Sequence, residues 1–386
     1  MNPKDILATS LKKEREKLGL SLKDVTVKLG FPNYQTLRSI ETGDREIKAW
    51  ELAKLAKIYG RDIDFFLSGK ESQEESKILW RSPGETSKRK EIGIKFLSFC
   101  RNYRHLQKIL NETENSAQQP IYRIDKIHLL QGDAFQYVAG IAKRISNDLS
   151  LGSRPACALS KILEEKVGIK IIFLPLPQDL SAASTKGDFG TAILINSNDS
   201  PWRRNFDLAH EFFHILTWDL FSTEEVYRET HPGKKTRIEQ LAEVFASAIL
   251  LPEEEIRKEI GLRRRGKTID YSSLTEVARE FDVSIEALLW RLVNIGIMKK
   301  ENVANLLEEG NILSIDKSGR SKKQDIPHIP ISSRYISLAI RAYHLGRISK
   351  ALFAEYVDMN FSAISSFLKD MGYNEDQDYS IEYRIA

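Results

Sequence analysis

Apolar residues in the first seventy positions recur in short blocks at helical spacing, each block closed by a turn signal. Ser21 with Asp24 makes a capping box for a helix over Leu22–Leu29, and Gly30, Phe31 and Pro32 break it. Asn33 then caps "YQTLRSIE", and Leu52, Leu55, Ala56 and Tyr59 mark a further amphipathic helix. Four or five short helices in this span predict a compact all-helical domain. The middle of the chain changes character. "AFQYVAGIAKRISNDL" and "PACALSKILEEKV" read as helices, while "GIKIIFLPL" and "GTAILINSN" are short β-rich runs. Two almost wholly apolar helices follow, "NFDLAHEFFHILTW" and "IEQLAEVFASAILLP", the second stopped by Pro252. Next, Leu274, Val277, Ala278 and Phe281 form one helix face, and after a Ser284 cap Ile285, Leu288, Leu289 and Leu292 form another. "SRYISLAIRAYHLG", "SKALFAEYV" and "SAISSFLKDMG" predict a small three-helix unit at the end.

Two polar, turn-rich stretches interrupt this pattern: Ser68–Lys77, continued by "RSPGETSKRKE", and Asp316–Pro330. They divide the chain into an all-α domain over 1–68, a linker and helical connector over 69–125, a mixed domain over 126–300, and a linker with a C-terminal helical unit over 301–386. The expected fold is therefore multidomain and mainly α, with a small β-sheet in the central domain. With 386 residues, 41% of them hydrophobic, there is enough chain for two or three cores. No run of about eighteen apolar residues predicts a membrane span, and the first residues lack the apolar core of a secretory signal. Cys100 and Cys157 alone make neither a disulfide framework nor a thiolate cluster, which points to a reducing cytoplasm. A net charge of +4 from 58 basic and 54 acidic residues permits a nucleic-acid partner without arguing for one.

The polar residues inside the first apolar helix carry the chemistry. His210 and His214 lie one turn apart on one face, the spacing at which two imidazoles hold a single zinc ion. Glu211, about 100° further round, suits a general base that takes a proton from water. Leu208, Phe212 and Ile215 cover the opposite face, so the helix is buried and its polar groups need partners. Glu239, on the next helix, is the expected third ligand, and Ala242 and Ala246 let the two helices approach closely. Glu243 is placed to accept a hydrogen bond from a ligating histidine. His231 reads as an ordinary loop histidine, and His105, His128, His328 and His344 show no ligand spacing.

"RRNFDLAHEFFH" followed by "IEQLAEVFASAILLP" resembles the ImmA/IrrE family of metallopeptidases, and the likeness extends over roughly residues 130 to 300. It implies a zincin-like domain in which His210, His214 and Glu239 bind Zn2+ and Glu211 is catalytic. Position 243 departs from the family pattern, holding Glu where Asn or Asp is usual.

"SLKDVTVKLGFPNYQTLRSIETGDREIKAWELAKLAKIYGRDIDFFL" resembles an XRE-type (Cro/C1-like) helix-turn-helix. One residue more than usual separates Gly30 from Glu41, with Pro32 in the insertion. The likeness implies double-stranded operator DNA as partner, with Tyr34, Gln35, Arg38 and Ser39 facing base edges or nearby phosphates. Lys12, Lys13, Arg15 and Lys23 are expected at phosphates, and two copies at paired half-sites. Together the two resemblances imply a transcriptional regulator with a zinc endopeptidase that cleaves a repressor or itself. The alternative is an antitoxin that binds its operator and neutralises a PIN-like ribonuclease toxin, with weak or no peptidase activity.

Overall fold

The computed structural model describes residues 3–68, 77–80, 86–112, 122–222, 225–226, 235–320 and 331–373. The first segment holds five helices: α1 (Pro3–Lys17), α2 (Leu22–Leu29), α3 (Tyr34–Glu41), α4 (Ala49–Tyr59) and α5 (Ile63–Leu67). They enclose Leu11, Val25, Leu37, Leu55, Tyr59 and Phe66. The expected caps are present. Ser21 Oγ accepts from Asp24 N while Asp24 accepts from Ser21 N, and Asn33 accepts from Thr36 N. Gly30, at φ +76°, ends α2 in the left-handed region that glycine tolerates best. α3 starts at Tyr34, behind Pro32 and the Asn33 cap.

Arg15 corrects an expectation. It does not face a phosphate: its Nε and Nη2 donate to the two carboxylate oxygens of Glu41 at 2.7 and 2.8 Å, and Nη1 donates to Leu20 O at 2.9 Å. The pair is buried and ties α1 to the end of α3. Lys12, Lys13 and Lys23 are exposed.

The polar stretch expected to run to Glu91 turns helical earlier. Thr86 accepts from Arg89 N and starts α6 (Ser87–Ile109). α6 belongs to two cores at once. Ile94 enters the N-terminal cluster, whereas Phe96, Phe99, Cys100, Tyr103 and Leu106 enter another. Lys28 pairs with Glu91 at 2.8 Å, and Arg101 Nη1 donates to Gly60 O at 2.6 Å, so the N-terminal bundle is docked on this helix.

The sheet has four strands, β1 (Ile78–Trp80), β2 (Lys170–Leu174), β3 (Ala182–Gly187) and β4 (Gly190–Asn196), in the order β1-β3-β4-β2. β2 and β4 are parallel and the other pairs antiparallel. Ile171, Ala182, Ile193 and Ile195 face one core, built with the helices Ala134–Asp148, Pro201–Leu216 and Arg237–Leu250. Ile172, Leu174, Ala183 and Leu194 face the other, built with α6 and the helices after residue 330. Cover on both faces explains why β2 and β4 read as nearly continuous apolar runs. Leu274, Val277, Leu288 and Leu292 join the first core.

Other expectations are corrected. Residues 155–167 form a 3₁₀ turn, one short α-turn and a π turn instead of a single helix. Asp316 lies in the helix Asn311–Arg320 and pairs with Arg320 Nε at 2.8 Å, so no linker begins there. The linker residues 69–76, 81–85 and 321–330, with His231 and His328, lie outside the described residues. The three C-terminal helices (Ser333–His344, Lys350–Tyr356 and Ile364–Asp370) are present, but they close the back of the sheet and do not stand apart. Among the described residues no helix is long and apolar enough to cross a membrane. Cys100 is buried and Cys157 exposed, both as free thiols.

Glu164 joins α6, the π turn and the C-terminal helices. Its Oε1 accepts from Tyr103 Oη at 3.0 Å and Ser332 Oγ at 2.7 Å. Burial pushes its carboxyl up to about 7, against those two hydrogen bonds. Between the ordinary 4.5 and this raised value the folded chain holds a proton that the unfolded chain has lost. Stability is therefore expected to fall as pH rises through that window. Glu164→Gln should flatten the slope by about 1–3 kcal/mol between pH 5 and pH 8, read by urea unfolding at each pH.

Candidate metal centre

Pro201 at the first turn, after Ser200, starts the helix Pro201–Leu216 that carries the two histidines. Its middle is sealed: His210, Glu211 and His214 are 0%, 1% and 3% exposed. The second helix, Arg237–Leu250, begins at Thr236, whose hydroxyl accepts from Glu239 N at 3.2 Å. Thr236 and Glu239 have the spacing of a capping box. The Glu239 side chain turns instead towards the imidazoles. Its Oε2 lies 3.2 Å from His210 Nε2 and its Oε1 3.1 Å from His214 Nε2. The helices are brought together by Ala242 and Ala246, both fully buried, and by Phe245, whose ring packs on Phe212 and Phe213 at 5.7 and 5.5 Å.

These three side chains fit a tetrahedral cation. Ligands about 2.05 Å from zinc stand roughly 3.3 Å from one another along a tetrahedral edge. Here the two Nε2 atoms are 3.1 Å apart, and each sits 3.1–3.2 Å from a Glu239 oxygen. His210, His214 and Glu239 form the one such donor group found among the described residues. Burial opposes ionisation of Glu239, but the hydrogen bonds from His210 and His214 outweigh it and hold the carboxyl well below the usual range. The N-terminal turn of its helix adds to that preference for the anion.

Glu211 is buried on the same helix and lies outside the three-donor group. Glu243 is not brought to an imidazole: its Oε1 accepts from Lys235 Nζ. That departs from the expected support of a ligating histidine. The longer side chain at this position reaches outward to a cation. His105 bonds to Tyr356 Oη, His128 to Asp125, and His344 stacks near Tyr373, all apart from this centre.

Next to His214 a cavity of about 180 Å³ is lined by Lys77, Leu79, Trp218, Phe221 and Val226. The contribution of residues 77 and 79 was missed by the sequence reading. Its one signal was the apolar triplet "ILW" set between charged stretches. On the N-terminal bundle, Tyr34, Gln35 and Arg38 project from α3 into solvent. Ser39 is half-buried and donates its hydroxyl to Gln35 O at 2.9 Å.

Residues 164–293 match the Peptidase_M78 family, described as the IrrE N-terminal-like domain, and residues 11–66 match the helix-turn-helix family HTH_3. Over 130 residues the chain is 35% identical to the radiation response metalloprotease IrrE of Deinococcus deserti, covering 32% of this chain and 43% of that protein. The protein of the same name from Deinococcus radiodurans is 33% identical over 130 residues, 32% of this chain and 37% of that one. The chain thus spans less than half the length of these curated relatives. A metalloprotease domain of this family implies a metal, typically zinc. Residues 11–66 are a helix-turn-helix domain, and residues 164–293 are an IrrE-like Peptidase_M78 domain.

Proposed function

We propose that this chain is a DNA-binding regulator whose peptidase domain is a zinc-dependent endopeptidase that cuts a repressor, or the chain itself, to relieve transcription. The observation that carries the reading is the convergence of two imidazoles and one carboxylate at 3.1–3.2 Å, with a second buried carboxylate on the same helix. His210 Nε2, His214 Nε2 and Glu239 would hold the ion. Zinc, when bound, supplies positive charge that polarises the scissile carbonyl and acidifies the attacking water. Glu211 accepts the proton released by that water and returns it to the leaving amine. The low exposure of this helix limits competition from bulk solvent.

Residues 1–68 would read the operator and residues 126–300 would cut, with two copies meeting paired half-sites. Tyr34, Gln35 and Arg38, exposed on α3, would read base edges, and the exposed Lys12, Lys13 and Lys23 would meet phosphates. Arg38→Ala is expected to weaken operator binding by about 1–3 kcal/mol and to blur sequence preference. Lys12→Ala should instead weaken binding to all sequences and lower the salt slope by about one. Fluorescence anisotropy on DNA from upstream of the chain's own gene, over a salt series, separates the two.

The peptidase half is tested by incubating full-length protein with equimolar zinc, alone and with candidate repressors, and identifying fragments by mass spectrometry. Chelation should stop their appearance. Zinc-loaded protein that leaves itself and every repressor intact would defeat the reading.

A further inference from the structure

β1 is the unusual strand of the sheet. β3 and β4 lie inside the matched peptidase region, residues 164–293, whereas β1 comes from the connector behind the helix-turn-helix. It covers the outer edge of β3 in antiparallel register, Ile78 opposite Thr185, Leu79 opposite Ser184 and Trp80 opposite Ala183. Thr185 Oγ1 also donates to Lys77 O at 2.7 Å. Without β1, that edge would be a row of unpaired backbone groups, the kind of template on which an extended peptide adds as a strand. The edge also adjoins the metal centre. Lys77 and Leu79 line the same cavity as His214.

We infer that Lys77–Trp80 occupies, in cis, the sheet edge on which the protein substrate lies, and that this segment must leave before substrate is cut. The inference rests on the peptidase reading above and adds the mode of recognition and its control. The substrate class is an unfolded or extended segment whose backbone pairs with β3. Side chains alternate across a strand, so an apolar residue at the Leu79 position points into the core shared with the histidine helix. Its neighbours take the places of Ile78 and Trp80, which rest on the other side against α6: a Cβ added at Gly93 would come within 3.0 Å of Ile78 Cδ1, and Arg89 lies 6.0 Å from the Trp80 ring. Among the described residues three pair, Ile78, Leu79 and Trp80, and of these only Leu79 is buried. α6 also carries the docked helix-turn-helix bundle, so a change in that docking reaches the occupant directly.

The test uses full-length protein and the fluorescent peptide Lys-Ile-Leu-Trp-Arg, residues 77–81. In a Glu211→Gln background, which removes turnover, Leu79→Ser should free the edge and tighten peptide binding at least about tenfold by anisotropy. Equal affinity with and without Leu79→Ser overturns the inference. Because Leu79→Ser could also weaken the fold, a locking pair gives a second answer. Oxidised Ile78→Cys/Thr185→Cys should cleave unfolded casein at least about tenfold more slowly than the same protein after reduction, since the strand can no longer be displaced. Equal rates in the two redox forms overturn it too. If neither form cleaves, the peptidase reading has failed on its own, and the anisotropy result still decides who occupies the edge.

Discussion

Glu211→Gln is expected to leave zinc bound and to lower peptide hydrolysis about 10²–10⁴-fold, the usual contribution of a positioned general base. The two side chains match in shape, and residue 211 is not one of the three converging donors. What changes is the capacity to accept a proton. At 1% exposure the position leaves little room for bulk water to take over that role. The check is kcat/KM on a cleaved protein, measured beside metal content on the same preparation. Wild-type turnover in the variant would remove Glu211 from the mechanism, and lost metal would make it a ligand.

His210→Ala is expected to abolish stoichiometric zinc. It removes one of two nitrogen donors and leaves Glu239 facing His214 alone. Loss of a partner behind a ligand already costs about 10–100-fold in affinity, so loss of the ligand itself should exceed that. Metal bound to the native state stabilises it by about 2.7 kcal/mol at a hundredfold excess over Kd. Chelator should therefore lower the melting temperature of wild type and leave His210→Ala unmoved. Metal analysis and thermal melts with and without chelator read both effects. One zinc per chain in the variant would show that the ion sits elsewhere.

The parts of the fold legible in the sequence are those fixed by local rules. α2 and α3 were read to the residue because Ser21, Asp24, Gly30 and Asn33 act within one turn of themselves. The donor triad was legible because a helix fixes the spacing of His210 and His214, and the alanines opposite them announce a close neighbour. What escaped depends on distant chain. β3, "AASTKG", lacks the β-branched density of a strand and is one because β4 lies beside it. Arg15 looked like a surface cation until α3 brought Glu41 to it. Glu243 was assigned to an imidazole on its helical spacing, one turn after Glu239, and Lys235, eight residues back, has it instead. The C-terminal helices looked self-sufficient because their stripes are apolar; periodicity does not say what a stripe will meet.

The two-sided burial of the sheet limits where this chain can be cut for study. A fragment trimmed to residues 164–293 would carry Ile172, Leu174, Ala183 and Leu194 with none of the helices that now shield them. Such a piece would present a greasy, sticky plane to its neighbours. The smallest dissectible catalytic body is therefore larger than the stretch shared with its relatives, and reaches from α6 to the final helix.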